Sequence, residues 1–246
     1  MRVKKKKINL DYNKTRQFFA QRSNKYNTDN PYSVTMYQDS NKSLVESRNL
    51  IEQKKIIPLL ELSSESKVLD IACGIGRWSD AIITDINSYL GIDFCEGLIS
   101  IARDRNHFDN RSFEVGSTND IIEILCTQSN RKVNRIICAG ICIYLNEDDL
   151  IKLFKNFNKM CDERTIIYIR EPIGIENRLT LKDFYSEELQ AVYNAIYRTR
   201  DEYNKLITKY VLSCGFKITE EKFLFDSAEE LNNRKETAQY YYILKR

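Results

Sequence analysis

The sequence predicts an α/β fold with a mostly parallel sheet and helices on both faces. Two observations carry this prediction. Apolar runs at 67–71, 89–92, 112–115, 134–139 and 164–170 alternate with helical patterns at about 75–84, 96–105, 118–126 and 147–160. Strand, helix and strand in repetition imply parallel pairing through right-handed crossovers. The first such unit carries Val68-Leu69-Asp70-Ile71-Ala72-Cys73-Gly74-Ile75-Gly76-Arg77-Trp78, a buried strand that runs into small residues, a Gly-x-Gly turn and a helix start. Glycine has no Cβ and tolerates positive φ, so the backbone can approach a ligand closely at this turn. Such a turn lies at the carboxyl edge of a parallel sheet, where nucleotide-like ligands bind.

The other elements follow in order. Residues 1–12 open with a basic run, Arg2 to Lys7, and are expected to form a flexible tail. Residues 13–62 are polar, tyrosine-rich and helical in pattern. Within them Leu44, Leu50, Ile51, Ile56 and Ile57 mark a helix that Pro58 bends or ends. Residues 63–246 hold the alternating core. The helix near 147 has Asn146 before Glu147-Asp148-Asp149, a favourable start because acids complement the helix N-terminus. The alternation lapses over about 173–198, an expected polar insertion with short helices, one of them at Ser186-Glu187-Glu188-Leu189. A helix over about 199–213 ends at Gly215, a C-cap glycine. Two strand-like runs follow, 216–220 and 240–244.

Bulk properties narrow the function. The chain has 246 residues, enough for one α/β domain with additions. Net charge is +3, but the first seven residues hold five positive charges; the remainder has 33 basic against 35 acidic residues, so it is not a basic nucleic-acid binder. No apolar run is long enough to span a membrane and no secretory leader is evident, so a cytoplasmic location is expected. The seven cysteines are odd in number, lack a C-x-x-C spacing and fall partly in apolar runs, which predicts reduced thiols. His107 is the only histidine and lies in a polar, loop-like stretch, which excludes a histidine-rich metal site.

A second acid completes a pattern. Tyr89-Leu90-Gly91-Ile92-Asp93 is a short apolar run whose terminal acid lies 23 residues after Asp70. An acid there can accept both hydroxyl protons of a ribose. With Asp70-x-Ala72-Cys73-Gly74-x-Gly76, the pattern resembles that of class I S-adenosylmethionine-dependent methyltransferases, over roughly residues 40–246. The resemblance implies a Rossmann-like, seven-stranded sheet with an antiparallel last strand, covered by an N-terminal helical lid. It implies S-adenosylmethionine as cofactor. Asp70, Ala72, Cys73, Gly74, Gly76 and Arg77 would surround its methionine part, and Asp93 its ribose. Phe94, Ser117 and Thr118 would flank the adenine, although the family often has an acid at the last of these loops. Ala139 and Gly140, at the end of the fourth strand of the alternating series, would pass under the reacting methyl group. The residue three after Gly76 is Ser79, not the third glycine of a nicotinamide-binding turn, so an NAD(P)-dependent oxidoreductase is the weaker reading.

The acceptor side is less constrained. Tyr37, Tyr144 and Glu171 are candidates to line or act on the acceptor, while Glu171 could equally pair with Arg170 or another base. Tyr32, Arg48, Arg170, Tyr197 and Arg200 are candidates to bind it, because guanidinium holds phosphate or carboxylate in a fork. Trp78 is expected to pack between helix and sheet. DNA methylation is not expected: residues 138–145 contain no proline and no Pro-Cys pair occurs. No acidic metal-ligand cluster stands out. The expected function is methyl transfer to an O or N atom of a small polar acceptor, such as a sugar nucleotide or phosphorylated precursor of a bacterial surface glycan. An RNA or other macromolecular methyltransferase and a non-catalytic cofactor-binding subunit are the alternatives.

Overall fold

A computed structural model describes residues 1–128, 132–225 and 231–246. The chain opens with β1 (Arg2–Lys4), α1 (Tyr12–Ser23), α2 (Ser33–Met36) and α3 (Lys42–Ile56), which tightens into a 3-10 turn over Ile57–Leu60 containing Pro58. The alternating core is β2 (Lys67–Ile71), α4 (Arg77–Ala81), β3 (Ser88–Asp93), α5 (Glu96–Arg105), β4 (Arg111–Val115), α6 (Ile121–Thr127), β5 (Val133–Ala139), α7 (Glu147–Met160) and β6 (Cys161–Gly174). Then come β7 (Leu179–Ser186), β8 (Ala191–Tyr197), α8 (Arg200–Tyr210), β9 (Lys217–Phe223) and β10 (Thr237–Lys245).

The main sheet has seven strands in the order β4-β3-β2-β5-β6-β10-β9. β2, β3, β4, β5 and β6 pair in parallel, and β10 lies antiparallel between β6 and β9. The seven-stranded, mostly parallel architecture with an antiparallel last strand is therefore as the sequence predicts. The sheet is apolar on both faces because helices cover both. One core layer joins Leu69, Ile136 and Ile167 to α7 through Phe154 and Phe157. The opposite layer joins Val68, Ile137 and Tyr168 to Ile56, Leu60 and Trp78. The strand order reverses between β2 and β5, with β3 and β4 added on one side and β6 on the other, so the crevice beyond their carboxyl ends lies at a topological switch point.

Two expectations are corrected. The insertion is a β-hairpin, β7 with β8, not a set of short helices. Thr180, Leu181 and Leu179 on one strand and Ala195, Ile196 and Tyr193 on the other are buried, and packing those side chains outweighs the weak helical signal at 186–189, which falls in the connection. The basic start is not a loose tail: Arg2, Val3 and Lys4 pair with Leu181, Thr180 and Leu179, making a third strand on the hairpin. The hairpin edge offers unpaired backbone groups, and the tail satisfies them. The helix expected over 75–84 is shorter, Arg77–Ala81.

All seven cysteines are free thiols. His107 is exposed in the connection after α5. Among the described residues no helix is long and apolar enough to cross a membrane, and no group of side chains is arranged to hold a metal ion.

Candidate active site

The turn after β2 is built from unusual backbone. Ala72, Gly74 and Gly76 all have positive φ, at 60°, 57° and 82°. A Cβ on Gly74 would stand 2.7 Å from Thr35 Cγ2, so only glycine lets the turn lie against α2. The Gly74 amide donates to Asp93 Oδ2 at 3.0 Å, and the Cys95 amide donates to Asp93 Oδ1 at 2.9 Å. Burial pushes the Asp93 carboxyl up to about 6, against those two donors. Asp70 accepts from the Tyr89 hydroxyl at 2.5 Å. Burial raises Asp70 to about 7, while the Tyr89 hydroxyl and the Arg77 charge oppose the rise.

Three cavities adjoin at this edge. One of about 120 Å³ lies along β3, β4 and α6 and is lined by Asp93, Phe94, Ser117 and Thr118, with Tyr12, Arg16 and Asp149 opposite. A second, of about 80 Å³, is lined by Asp70, Ala72, Cys73, Arg77, Ala139 and Gly140. The third, of about 310 Å³, holds Tyr37, Arg48, Tyr144, Arg170, Tyr193 and Tyr197. Tyr144 borders all three. The side chains of α1 and Asp149 were not identified from the sequence; α1 carries no periodic apolar signal that would have placed it against the sheet edge.

The phenols form an array. The Tyr37 and Tyr144 hydroxyls are hydrogen-bonded, and Tyr144 and Tyr193 hydroxyls lie 3.0 Å apart. Burial raises all three well above the usual phenol range, so they are neutral. Beside them lies an ion cluster anchored on Glu52 of α3. Its Oε1 accepts from Arg170 Nε at 3.0 Å and from the Tyr168 hydroxyl at 2.7 Å, and its Oε2 lies 2.9 Å from Arg77 Nη1. Burial alone would raise Glu52. The guanidiniums of Arg170 and Arg77, with the Tyr168 hydroxyl, outweigh it and hold the carboxyl down at about 2. Glu52 sits in an ordinary polar helix, and nothing in its sequence neighbourhood marks it.

Several candidates do not reach the cavities. Glu171 is 2% exposed and turned onto the loop after β5. Its Oε1 accepts from the amides of Gly140, Ile141 and Cys142 at 3.0, 3.0 and 2.9 Å, and Oε2 from Ile143 at 3.2 Å. Burial raises this carboxyl in spite of its four backbone donors, but the side chain holds that loop and lines none of the three cavities, so the catalytic expectation for Glu171 is corrected. Tyr32 donates to Asp80 at 2.9 Å, beside the Arg105 guanidinium, and borders none of the three cavities. Arg200 reaches Glu221 at 2.5 Å on the surface, and its expected acceptor role is corrected likewise. Arg48 borders the large cavity but spends Nε and Nη2 on the Leu231 carbonyl, at 2.8 and 2.5 Å. Trp78 packs edge-on against Tyr168, as expected, and also borders the 80 Å³ cavity.

Residues 68–163, which contain the glycine turn, Asp93 and the end of β5, match a family described as a methyltransferase domain. The chain carries a methyltransferase domain. The chain is 27% identical over 188 residues to phosphoethanolamine N-methyltransferase of Plasmodium falciparum, covering 76% of this chain and 67% of that one. Among solved structures, Haemonchus contortus phosphoethanolamine N-methyltransferase 1, in complex with phosphoethanolamine and S-adenosylhomocysteine, superposes with a TM-score of 0.65 at 18% identity. That match covers 94% of this chain and 48% of the other, so the methyltransferase spans about half the Haemonchus protein. The N-methyltransferase NodS of Bradyrhizobium japonicum, with S-adenosylhomocysteine bound, gives 0.61 at 14% identity, covering 95% and 98%.

Proposed function

We propose that this methyltransferase moves the methyl group of S-adenosylmethionine to a small, phosphate-bearing acceptor held in the 310 Å³ cavity. The observation that carries the reading is the Tyr144 wall that the three cavities share, together with a large-cavity lining of five basic against three acidic side chains. An anionic acceptor is favoured where basic groups outnumber acidic ones in a confined space. The phosphoethanolamine acceptor of the Plasmodium and Haemonchus relatives belongs to this chemical class, and so do sugar nucleotides and phosphorylated glycan precursors.

The residues present suit the cofactor. Asp93 keeps unused acceptor capacity on both oxygens for ribose hydroxyls. The positive-φ turn brings bare backbone to the methionine part, where Arg77 can meet the carboxylate. Phe94, Ser117 and Thr118 offer one aromatic and two polar groups for the adenine. The bound cofactor supplies an electrophilic methyl group. The chain orients the acceptor against it and keeps water out, and orientation of that kind removes several kcal/mol of barrier.

The test has two stages. Thermal unfolding with S-adenosylhomocysteine or NAD(P) at about 100 times the dissociation constant should give about 2.7 kcal/mol of stabilisation for the true cofactor. Stabilisation by the adenosyl compound alone is expected, and by NAD(P) alone would overturn the reading. Labelled-methyl transfer is then measured against phosphorylated amines, sugar phosphates and sugar nucleotides. Transfer to unphosphorylated compounds or to RNA, with none to this panel, would overturn the acceptor class.

A further inference from the structure

The passage between the cofactor cavity and the acceptor cavity is chemically narrow. Thr35, Met36, Tyr37, Gly140, Tyr144 and Arg170 border both the 80 Å³ and the 310 Å³ spaces. Arg170 is the one charged residue among these six. Its guanidinium lies over Gly140, with Nη1 3.2 Å from where a Cβ on that glycine would stand. Glu52 takes Nε, and Gln239 reaches Nη1 at 3.3 Å, so the fork is fixed by α3 and β10. Nη2 has no hydrogen bond among the described residues.

None of the six residues shared by the two spaces carries a carboxylate or an imidazole. Tyr37 and Tyr144 are neutral phenols bonded to each other. Glu171 is committed to backbone amides. Glu52 is held ionised by two arginines and a tyrosine, and Asp70 and Asp93 line the 80 Å³ cavity but not the 310 Å³ one, Asp70 being bonded to the Tyr89 hydroxyl. A protonated amine at the passage would face the Arg170 charge with no carboxylate among the six residues beside it. A carboxylate would arrive already ionised and would meet the open Nη2 of Arg170 in a charge-assisted hydrogen bond.

We infer that the acceptor carries a carboxylate at the transfer point, one oxygen held by Arg170 and the other facing the methyl group, with its phosphate further into the large cavity. This rests on the proposed phosphate-bearing acceptor and adds the group that reacts. The bond formed joins a carboxylate oxygen to the methyl carbon. The bond broken is the methyl carbon–sulfur bond, whose electron pair stays on sulfur. The product is a methyl ester, no proton is released, and no base is required.

Two probes of equal length separate the possibilities. 2-Phosphoglycolate and phosphoethanolamine share a phosphate and differ at the other end, carboxylate against ammonium. Calorimetric titration into protein saturated with S-adenosylhomocysteine should show 2-phosphoglycolate binding at least about tenfold more tightly. Arg170→Gln should abolish that preference while holding the affinity for S-adenosylhomocysteine within about threefold. If that variant fails to fold because Glu52 keeps only Arg77 and Tyr168, Arg170→Lys, which keeps a charge for Glu52 but not the planar guanidinium with its open Nη2, is read in the same way. Tighter binding of phosphoethanolamine, or a preference that survives loss of Arg170, overturns the inference and leaves the phosphate reading standing. Binding of neither probe, with S-adenosylhomocysteine still bound, overturns the phosphate reading and the inference with it.

Discussion

The amide of Gly74 donates to Asp93 Oδ2 at 3.0 Å, so the glycine turn after β2 and the acid that ends β3 form one unit. In the proposed binding mode the turn would meet the methionine part of the cofactor and the acid its ribose. A change to either residue is transmitted to the other.

Asp93→Ala should therefore weaken S-adenosylhomocysteine binding by about 1–3 kcal/mol, the cost of leaving buried donors unpaired. The wild-type affinity should also fall as pH drops below about 6, where the buried carboxyl takes up a proton and loses acceptor capacity. Asp93→Asn should lose the part of this pH dependence that belongs to Asp93. Calorimetry between pH 5 and 8 checks both; an affinity indifferent to the substitution removes Asp93 from the ribose role.

Gly74→Ala places a methyl group 2.7 Å from Thr35 Cγ2 at a φ of 57°, which L side chains adopt at a cost of about 1–2 kcal/mol. Cofactor affinity should drop at least tenfold while the sheet remains folded. Adding Thr35→Ala should relieve the collision but not the backbone cost, restoring affinity in part. No loss in the single variant, measured by equilibrium binding, would refute the close approach.

Glu171→Gln puts an amide NH2 group against one or more of the four backbone donors that the carboxylate satisfies. An unsatisfied buried donor costs about 1–3 kcal/mol, so the variant should unfold at lower temperature. Turnover should fall with the loss of loop order, with no change in the shape of its pH profile. A variant as stable as wild type, with a shifted pH profile, would restore Glu171 as an acid–base group.

Glu52 makes a prediction about acid stability. Its folded carboxyl sits at about 2, below the ordinary 4.5, so it stabilises the fold fully above about pH 4.5. That contribution is lost as pH falls from 4.5 towards 2. Glu52→Gln should lower the midpoint of thermal unfolding at neutral pH and flatten its fall through this acid range. An acid limb unchanged by the substitution would show that the Arg77–Glu52–Arg170 cluster contributes no net stability.

The legible parts of the site were those written in contiguous sequence. The Gly-x-Gly turn, Asp93 at a strand end, and Ala139-Gly140 after the fourth strand of the series are local features, and each lies at the cavity edge. Tyr37, Arg48, Tyr144, Arg170 and Tyr197 border the 310 Å³ cavity. Tyr32 and Arg200 were chosen by residue type in the N-terminal and insertion segments, and Glu171 by its place after a strand. Where a side chain points is set by neighbours that sequence spacing does not name: Asp80 for Tyr32, Glu221 for Arg200 and the loop amides for Glu171.

By itself the sequence determined the strand–helix alternation, the parallel sheet and the place of the glycine turn, because periodicity and turn chemistry act over a few residues. The tertiary structure decided the rest. It paired Arg2–Lys4 with the hairpin, brought Glu52 between Arg77 and Arg170, and turned Glu171 away from the cavity. These contacts join residues as far apart as Val3 and Thr180 or Glu52 and Arg170. They exist because buried charges and backbone donors must find partners wherever the fold brings them, and the fold is specified by the core, not by those partners.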